Sequence, residues 1–224
     1  MSTRPRRPAG EDDFFIVGLV GRTGSGKSTV ARALAATGAV VIEGDALGHE
    51  VTDQDAEVRS VLIEEYGPEI YLPSGALDRR AVARRVFDDA EARARLDRLV
   101  HPRILSRIRA RLDRLRAEEY RGVVVIDAAL LLEWGLERGC DAVIAVTAPE
   151  EEQIARLTRA RGWSPDESRA RLRAQRASED FARAADLVMD NRRSEADLAR
   201  EAVAAVARLR AERSPGAGAA RKER

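Results

Sequence analysis

The chain has 224 residues and a formal net charge of +1, because 39 Lys and Arg are balanced by 38 Asp and Glu, which argues against a nucleic-acid-binding protein. No run approaches the ~20 consecutive apolar residues of a membrane span, and the N-terminal arginines lead into no apolar signal core. A single cysteine, Cys140, excludes an internal disulfide and makes a reducing cytoplasm the expected compartment.

The first predicted unit is a strand, a glycine-rich loop and a helix. The continuous apolar run over residues 14–20 predicts a buried strand. The loop that follows, Gly21–Ser28, fits the phosphate-binding pattern G-x-x-x-x-G-K-[ST]. Helical spacing of apolar residues then continues to Thr37, with Gly38 as a candidate C-cap. This order points backbone amides at an anion, and its alternative is a chance glycine turn before a helix.

Lysine at position 27 is informative in its own right. The chain has 39 Lys and Arg, yet only Lys27 and Lys222 are lysines. A compact ammonium on a flexible stem can reach terminal phosphates inside a tight loop, which the wide planar fork of arginine does not fit. We therefore expect Lys27 to act on the transferred phosphate. The expected cradle consists of Gly24, Ser25, Gly26, Lys27, Ser28 and Thr29.

Four further apolar runs predict strands that alternate with helical patterns. They lie at 40–42, 122–126, 142–146 and 187–189. This alternation predicts an α/β fold with a five-stranded parallel sheet flanked by helices, and the glycine loop after the first strand assigns it to the P-loop nucleoside triphosphatase class. The nucleotide-binding core is expected over 14–50 and 122–210, between disordered ends at 1–13 and 211–224.

A long insertion, expected to be helical throughout, separates the second strand from the third over residues 51–121. Apolar residues at three- to four-residue spacing predict a long helix within it, interrupted at Pro102. The insertion leaves a parallel sheet at the carboxyl end of a strand, where α/β folds bind ligands. It is therefore expected to bind the acceptor substrate, and the alternative is a decoration that only packs on the core.

Two arginine-rich helices joined by a glycine hinge follow the fourth strand and predict a lid over residues 156–180. The hinge is Gly162–Pro165, where Ser164 is expected to cap the second helix with Glu167 as its reciprocal partner. A hairpin of this kind can close over phosphates. The alternative is an ordinary solvated helix pair.

Phosphoryl transfer also needs a metal ion and a carboxylate that orients the acceptor. Ser28 offers the hydroxyl that holds Mg²⁺ in this loop pattern, and Asp127 ends an apolar strand, where its carboxylate would join the shell of the metal. Asp45 follows the second strand and is the candidate base for the acceptor hydroxyl. Its alternative role is to cap the helix expected over 46–51. ATP and Mg²⁺ are therefore the expected ligands.

From residue 16 to about residue 191 the chain resembles the dephospho-CoA kinases. The segments that carry the resemblance are Gly24–Val30, Val41–His49, Gly75–Arg79, Val86-Phe87, His101-Pro102, Asp127–Glu133, Gln153–Leu157, Arg171–Gln175 and Ala185–Asn191. The resemblance implies transfer of the ATP γ-phosphoryl group to the 3′-hydroxyl of dephospho-CoA, the last step of CoA synthesis. It also implies a body made of a core, CoA-binding helices and a lid.

The resemblance also implies roles for single residues. Asp45 would be the base, Arg79 would contact the acceptor, and Arg171 would be a lid contact. His101 is a further acceptor-side candidate, whose alternative is to shape the helix beside Pro102. The chain departs from the family pattern at Arg22, Glu43, Ala129, Ala160 and Phe181.

Two other functions remain open at this point. One is a P-loop kinase that acts on a nucleoside, a nucleotide or another small alcohol. The other is a nucleotide-binding adaptor or pseudo-kinase, although the guanine-reading element Asn-Lys-x-Asp is absent, since no lysine lies between positions 28 and 221. The expected partners are small molecules, not nucleic acid or membranes, and no pattern in the sequence sets the oligomeric state.

Overall fold

The computed structural model describes residues 13–86 and 89–213, which form two compact units. One unit comprises Glu43–Leu115, and the other comprises the described residues on either side of it. The disordered ends expected at 1–13 and 211–224 lie outside the described residues, apart from position 13 and positions 211–213. Those last three positions belong to a helix.

Five strands form a single sheet. They are β1 (Phe15–Val20), β2 (Val40–Glu43), β3 (Val123–Asp127), β4 (Ala142–Thr147) and β5 (Leu187–Asp190). Their spatial order is β2-β3-β1-β4-β5, and β1 pairs in parallel with β3 and with β4, which in turn pairs in parallel with β5. The prediction of an α/β fold with a five-stranded parallel sheet is confirmed.

Nine helices are found in the described part of the chain. They are α1 (Lys27–Ala36), α2 (Gly44–Gln54), α3 (Ala56–Tyr66), α4 (Arg79–Val86), α5 (Ala90–Ala117), α6 (Glu150–Arg161), α7 (Pro165–Arg173), α8 (Ser178–Ala184) and α9 (Glu195–Arg213). None of the helices within 13–86 and 89–213 is long and apolar enough to cross a membrane.

The central strand β1 is covered on both faces. Alternate residues such as Val17 pack in one core cluster with Leu34 of α1 and Ala202 of α9. On the other face, a Cβ added to Gly18 would lie 3.0 Å from the Cys140 Sγ. All six residues of β1 are buried, which explains why this strand is a continuous apolar run in the sequence.

The unit formed by Glu43–Leu115 differs from the expected insertion in two details. Tyr71 and Leu77 form an isolated antiparallel bridge, so the segment is not helical throughout. The interruption predicted at Pro102 is wrong, because α5 continues through this residue. Proline removes one ladder hydrogen bond there, the one to the Arg98 carbonyl. Side-chain packing along α5 outweighs the local cost.

Candidate active site

The glycine loop between β1 and α1 depends on backbone conformations that favour glycine. Gly21 has a φ of 142° and Gly26 a φ of 113°, both in the region that L side chains rarely adopt. Space is also lacking at these positions. A Cβ on Gly21 would lie 2.3 Å from the Val146 carbonyl oxygen, and one on Gly26 would lie 2.3 Å from the Asn191 Nδ2. The loop is thus held tightly against the ends of β4 and β5.

The loop offers hydrogen-bond donors of the kind that bind phosphate. Among the described residues, the amide N–H groups of Gly24 and Gly26 have no protein acceptor. Lys27 begins α1 and its Nζ donates to the Gly21 carbonyl at 2.8 Å, which folds the ammonium back over the loop. Free amides, a helix N-terminus and an ammonium together suit a multiply charged anion.

Two side chains hold the loop carbonyls from below. Arg156 of α6 donates to the Gly24 carbonyl at 3.2 Å and to the Asn191 carbonyl at 3.0 Å. The Asn191 side chain, which is 4% exposed, donates to the Ser25 carbonyl at 2.7 Å. Because the Gly24 and Ser25 carbonyls point to Arg156 and Asn191, the N–H groups of the same peptide bonds, which belong to Ser25 and Gly26, point the opposite way. The sequence predicted Arg156 as part of the lid and not as a support of the loop, and it predicted no individual role for Asn191.

The first half of the loop contacts the α6–α7 region as well. Arg22, where the family pattern has glycine, pairs with Glu150 of α6 at 3.2 Å, so its charge is neutralised there. Thr23 exchanges two hydrogen bonds with Gln175, which follows α7. Arg22, which departs from the family pattern, therefore has an ion-pair partner within the same unit.

The predicted metal ligands lie near the beginning of the loop and of the helix. Asp127 is the last residue of β3, and its Cα is in register with that of Leu19, two residues before the loop. Ser28 lies in the first turn of α1. The described residues contain no group of three or more His, Cys, Asp and Glu that could hold a metal. Mg²⁺ needs fewer protein ligands, since it keeps several waters and takes one or two carboxylates beside phosphate oxygens, so this donor set fits it.

The hinge of the predicted lid has the capping geometry expected from the sequence. The Ser164 hydroxyl accepts from the Glu167 amide at 3.1 Å, and the Glu167 carboxylate accepts from the Ser164 amide at 2.8 Å, so the predicted capping box is confirmed. The Arg171 guanidinium lies over the ring of Trp163 in the hinge, 4.1 Å from its centroid. This cation–π contact places Arg171 on the hinge side of α7.

Asp45 lies in the first turn of α2 with an exposed side chain. The residue at the N-cap position is Glu43, and no side-chain hydrogen bond caps this helix. The alternative role of Asp45 as an N-cap is therefore wrong, because α2 begins at Gly44, one residue earlier than that role requires. The carboxylate of Asp45 therefore does not cap α2.

The two other acceptor-side candidates make contacts within their own unit. Arg79 Nη2 donates to both carboxylate oxygens of Asp53, at 2.9 and 3.0 Å, and to the Thr52 hydroxyl at 3.1 Å. His101 Nε2 lies 3.3 Å from the Asp97 carboxylate, one turn earlier in α5. The pair formed by Arg79 and Asp53 ties the start of α4 to the end of α2.

The contacts of Asp53 predict how stability depends on pH. Partial burial acts to raise the pKa of Asp53, but the hydrogen bond from the Leu77 amide, the hydrogen bond from Arg79 and the Arg79 charge outweigh it, so the pKa lies below its ordinary value. A lowered pKa means that the carboxylate stabilises the folded chain above about pH 4 and that this contribution is lost as the pH falls further. We expect Asp53→Asn to reduce the free energy of unfolding by about 1 kcal/mol at pH 7.

Urea unfolding of both proteins at pH 7 and near pH 3 checks this. The difference between Asp53→Asn and the wild type should shrink at the acid end, because the unfolded chain then takes up a proton at Asp53 and the stability that comes from the lowered pKa is progressively lost. A difference that stays constant over this range would show that the charge of Asp53 contributes nothing.

Comparison with known proteins gives one consistent result. The family model described as dephospho-CoA kinase matches residues 15–197. The chain is similar to the dephospho-CoA kinase of Symbiobacterium thermophilum, with 41% identity over 80% of this chain and 74% of that protein. It is similar to the dephospho-CoA kinase of Thermobifida fusca, with 39% identity over 81% of this chain and 90% of that protein.

Two solved structures share the fold of this chain. The crystal structure of TT1252 from Thermus thermophilus is 36% identical, covers 88% of this chain and 98% of its own, and superposes with a TM-score of 0.73. The dephospho-CoA kinase from Campylobacter jejuni, at 22% identity over 88% of this chain and 98% of its own, shares the fold with a TM-score of 0.61.

Proposed function

The chain belongs to the dephospho-CoA kinase family, and we propose that it transfers the γ-phosphoryl group of ATP to the 3′-hydroxyl of dephospho-CoA. The product is CoA, so the reaction is the final step of CoA synthesis. We place this reaction in the cytoplasm, with small molecules as the partners of the protein.

The observation that carries the proposal is the donor set of the glycine loop. Gly24 and Gly26 present amides, and Lys27 begins the helix that follows. These donors would bind the β- and γ-phosphates of ATP, and the Lys27 ammonium would neutralise charge as it develops on the transferred group. Because the loop is already ordered by Arg156 and Asn191, little reorganisation is needed when the nucleotide binds.

Magnesium would be held by the Ser28 hydroxyl and the Asp127 carboxylate together with phosphate oxygens. Bound there, the ion would neutralise phosphate charge and help to hold the phosphates in the orientation needed for transfer. The protein side of this arrangement is the placement of Ser28 in the first turn of α1 and of Asp127 at the end of β3.

The acceptor side is assigned to Asp45, Arg79, His101 and Arg171. We propose that Asp45 accepts the proton of the acceptor 3′-hydroxyl, because its carboxylate is exposed and makes no cap for α2. Arg79 and His101 would contact the acceptor, and Arg171 would contact phosphate when it leaves the ring of Trp163. The α6–α7 hairpin would act as a lid that excludes water from the reaction.

A coupled assay of ADP release over a panel of acceptors tests the proposed activity. With ATP and Mg²⁺, we expect dephospho-CoA to give the highest kcat/KM, with adenosine, AMP and other nucleosides far behind it. Robust turnover of a nucleoside without turnover of dephospho-CoA would favour a kinase of another alcohol. Absence of turnover with every acceptor, together with tight ATP binding, would favour a pseudo-kinase.

A further inference from the structure

We infer that Gln175 is a positioning residue for the phosphate loop. It fixes Thr23, so that the loop is ordered before ATP binds. This inference rests on the proposed function, because it concerns the nucleotide site of the same reaction. Gln175 follows α7 at the end of the lid hairpin, by which we mean α6 and α7 together. Thr23 lies 152 residues earlier in the chain.

Two hydrogen bonds join these residues. The Thr23 amide donates to the Gln175 Oε1 at 2.9 Å, and the Gln175 Nε2 donates to the Thr23 Oγ1 at 2.6 Å. A backbone amide can only donate, so the first bond sets the orientation of the side-chain amide and leaves its NH₂ group facing the hydroxyl. A glutamine thus satisfies the backbone and the side chain of one loop residue at the same time.

The contact takes the Thr23 amide out of phosphate binding. The amide of Thr23 is taken by Gln175, whereas those of Gly24 and Gly26 have no protein acceptor among the described residues. Ordering a flexible loop on binding costs affinity, and a loop ordered beforehand avoids that cost. Gln175 should therefore act mainly on ATP affinity and only weakly on the rate at saturating ATP.

A second link joins the loop to the lid hairpin but contributes less. Arg22 pairs with Glu150; the Arg22 side chain is 13% exposed, but that of Glu150 is 46% exposed. Water screens the exposed carboxylate and so reduces the contribution of this ion pair. Arg156 also supports the loop, but it lies within α6 and binds carbonyls of Gly24 and Ser25. The link from the far end of the hairpin is therefore made by Gln175.

The test compares Gln175→Met with Gln54→Met. Methionine keeps the length of glutamine and cannot make either hydrogen bond, and Gln54 is an exposed residue at the end of α2, so the same change there is a matched control. Loss of the two bonds should raise the dissociation constant of the ATP analogue adenylyl imidodiphosphate about 10-fold. The kcat at saturating ATP should stay within about 3-fold, and Glu150→Gln should raise the dissociation constant by less than about 3-fold.

A double-mutant cycle with Thr23→Val isolates the contact. If the two residues act through each other, the combined variant should weaken binding by clearly less than the product of the two single effects. A dissociation constant for Gln175→Met within 2-fold of the wild type, even with a lowered Tm, would show a merely structural role and overturn the inference. If the wild type fails to bind the analogue at all, the proposed kinase function itself is overturned, and the two failures are thus distinguishable.

Discussion

Replacing Lys27 by alanine should lower kcat by at least about 10³-fold and leave no measurable turnover under ordinary assay conditions. The reason is electrostatic. Phosphoryl transfer spreads charge over the oxygens of the moving group, and Lys27 provides the ammonium at the start of α1, folded back over the loop. Backbone amides of the loop would remain, so we expect ATP binding to weaken without being lost. A coupled ADP-release assay and calorimetric titration with the ATP analogue measure the two effects separately.

The chain provides a matched control for this experiment, because Lys222 is its one other lysine. Lys222→Ala removes the same group elsewhere in the sequence and should leave turnover within about 2-fold of the wild type. Lys27→Arg keeps the charge but replaces a point charge by a wide planar fork, so it should also lose most of the activity. If Lys27→Ala retained a tenth of the wild-type kcat, the loop would bind phosphate without taking part in its transfer.

The parts of the structure that the sequence predicted are those set by local patterns. The run Phe15–Val20 reads as a buried strand because β1 is covered on both faces, and the fixed spacing of Gly21, Gly26 and Lys27 marks the loop. The capping box at Ser164 follows from the same kind of short-range chemistry. Such features involve residues that are neighbours in sequence, so one chain is enough to detect them.

Side chains that support the loop from a distance could not be assigned in this way. Arg156 lies 132 residues from Gly24, and Asn191 lies 166 residues from Ser25. Which of 37 arginines reaches the loop depends on how α6 packs beside Gly24, and this packing cannot be inferred from composition. At Pro102 a local signal gave the wrong prediction. Proline predicted a helix break, but the helix continues because the flanking apolar residues of α5 are packed.

Asp45→Asn should lower kcat by at least about 10²-fold, which corresponds to about 2.7 kcal/mol of transition-state stabilisation. Asparagine has nearly the same shape as aspartate but cannot take up a proton, so the acceptor hydroxyl would lose its base. Affinity for the ATP analogue should change by less than about 2-fold, because we assign Asp45 to the acceptor side. Since the exposed carboxylate of Asp45 makes no cap for α2, the Tm of the variant should stay close to that of the wild type.

The neighbouring carboxylate decides whether the role belongs to Asp45 itself. Glu43 is also exposed and lies two residues earlier, at the end of β2. Glu43→Gln removes that charge with the same minimal change in shape, and it should cost far less than Asp45→Asn if the base is at position 45. A larger loss for Glu43→Gln would move the base to position 43, and near-normal rates for both variants would mean that the acceptor hydroxyl is deprotonated without a carboxylate from this segment. Asp45 and Glu43 differ by one methylene and lie two positions apart. Comparing their variants therefore tests where the base is, as well as whether the reaction needs a base.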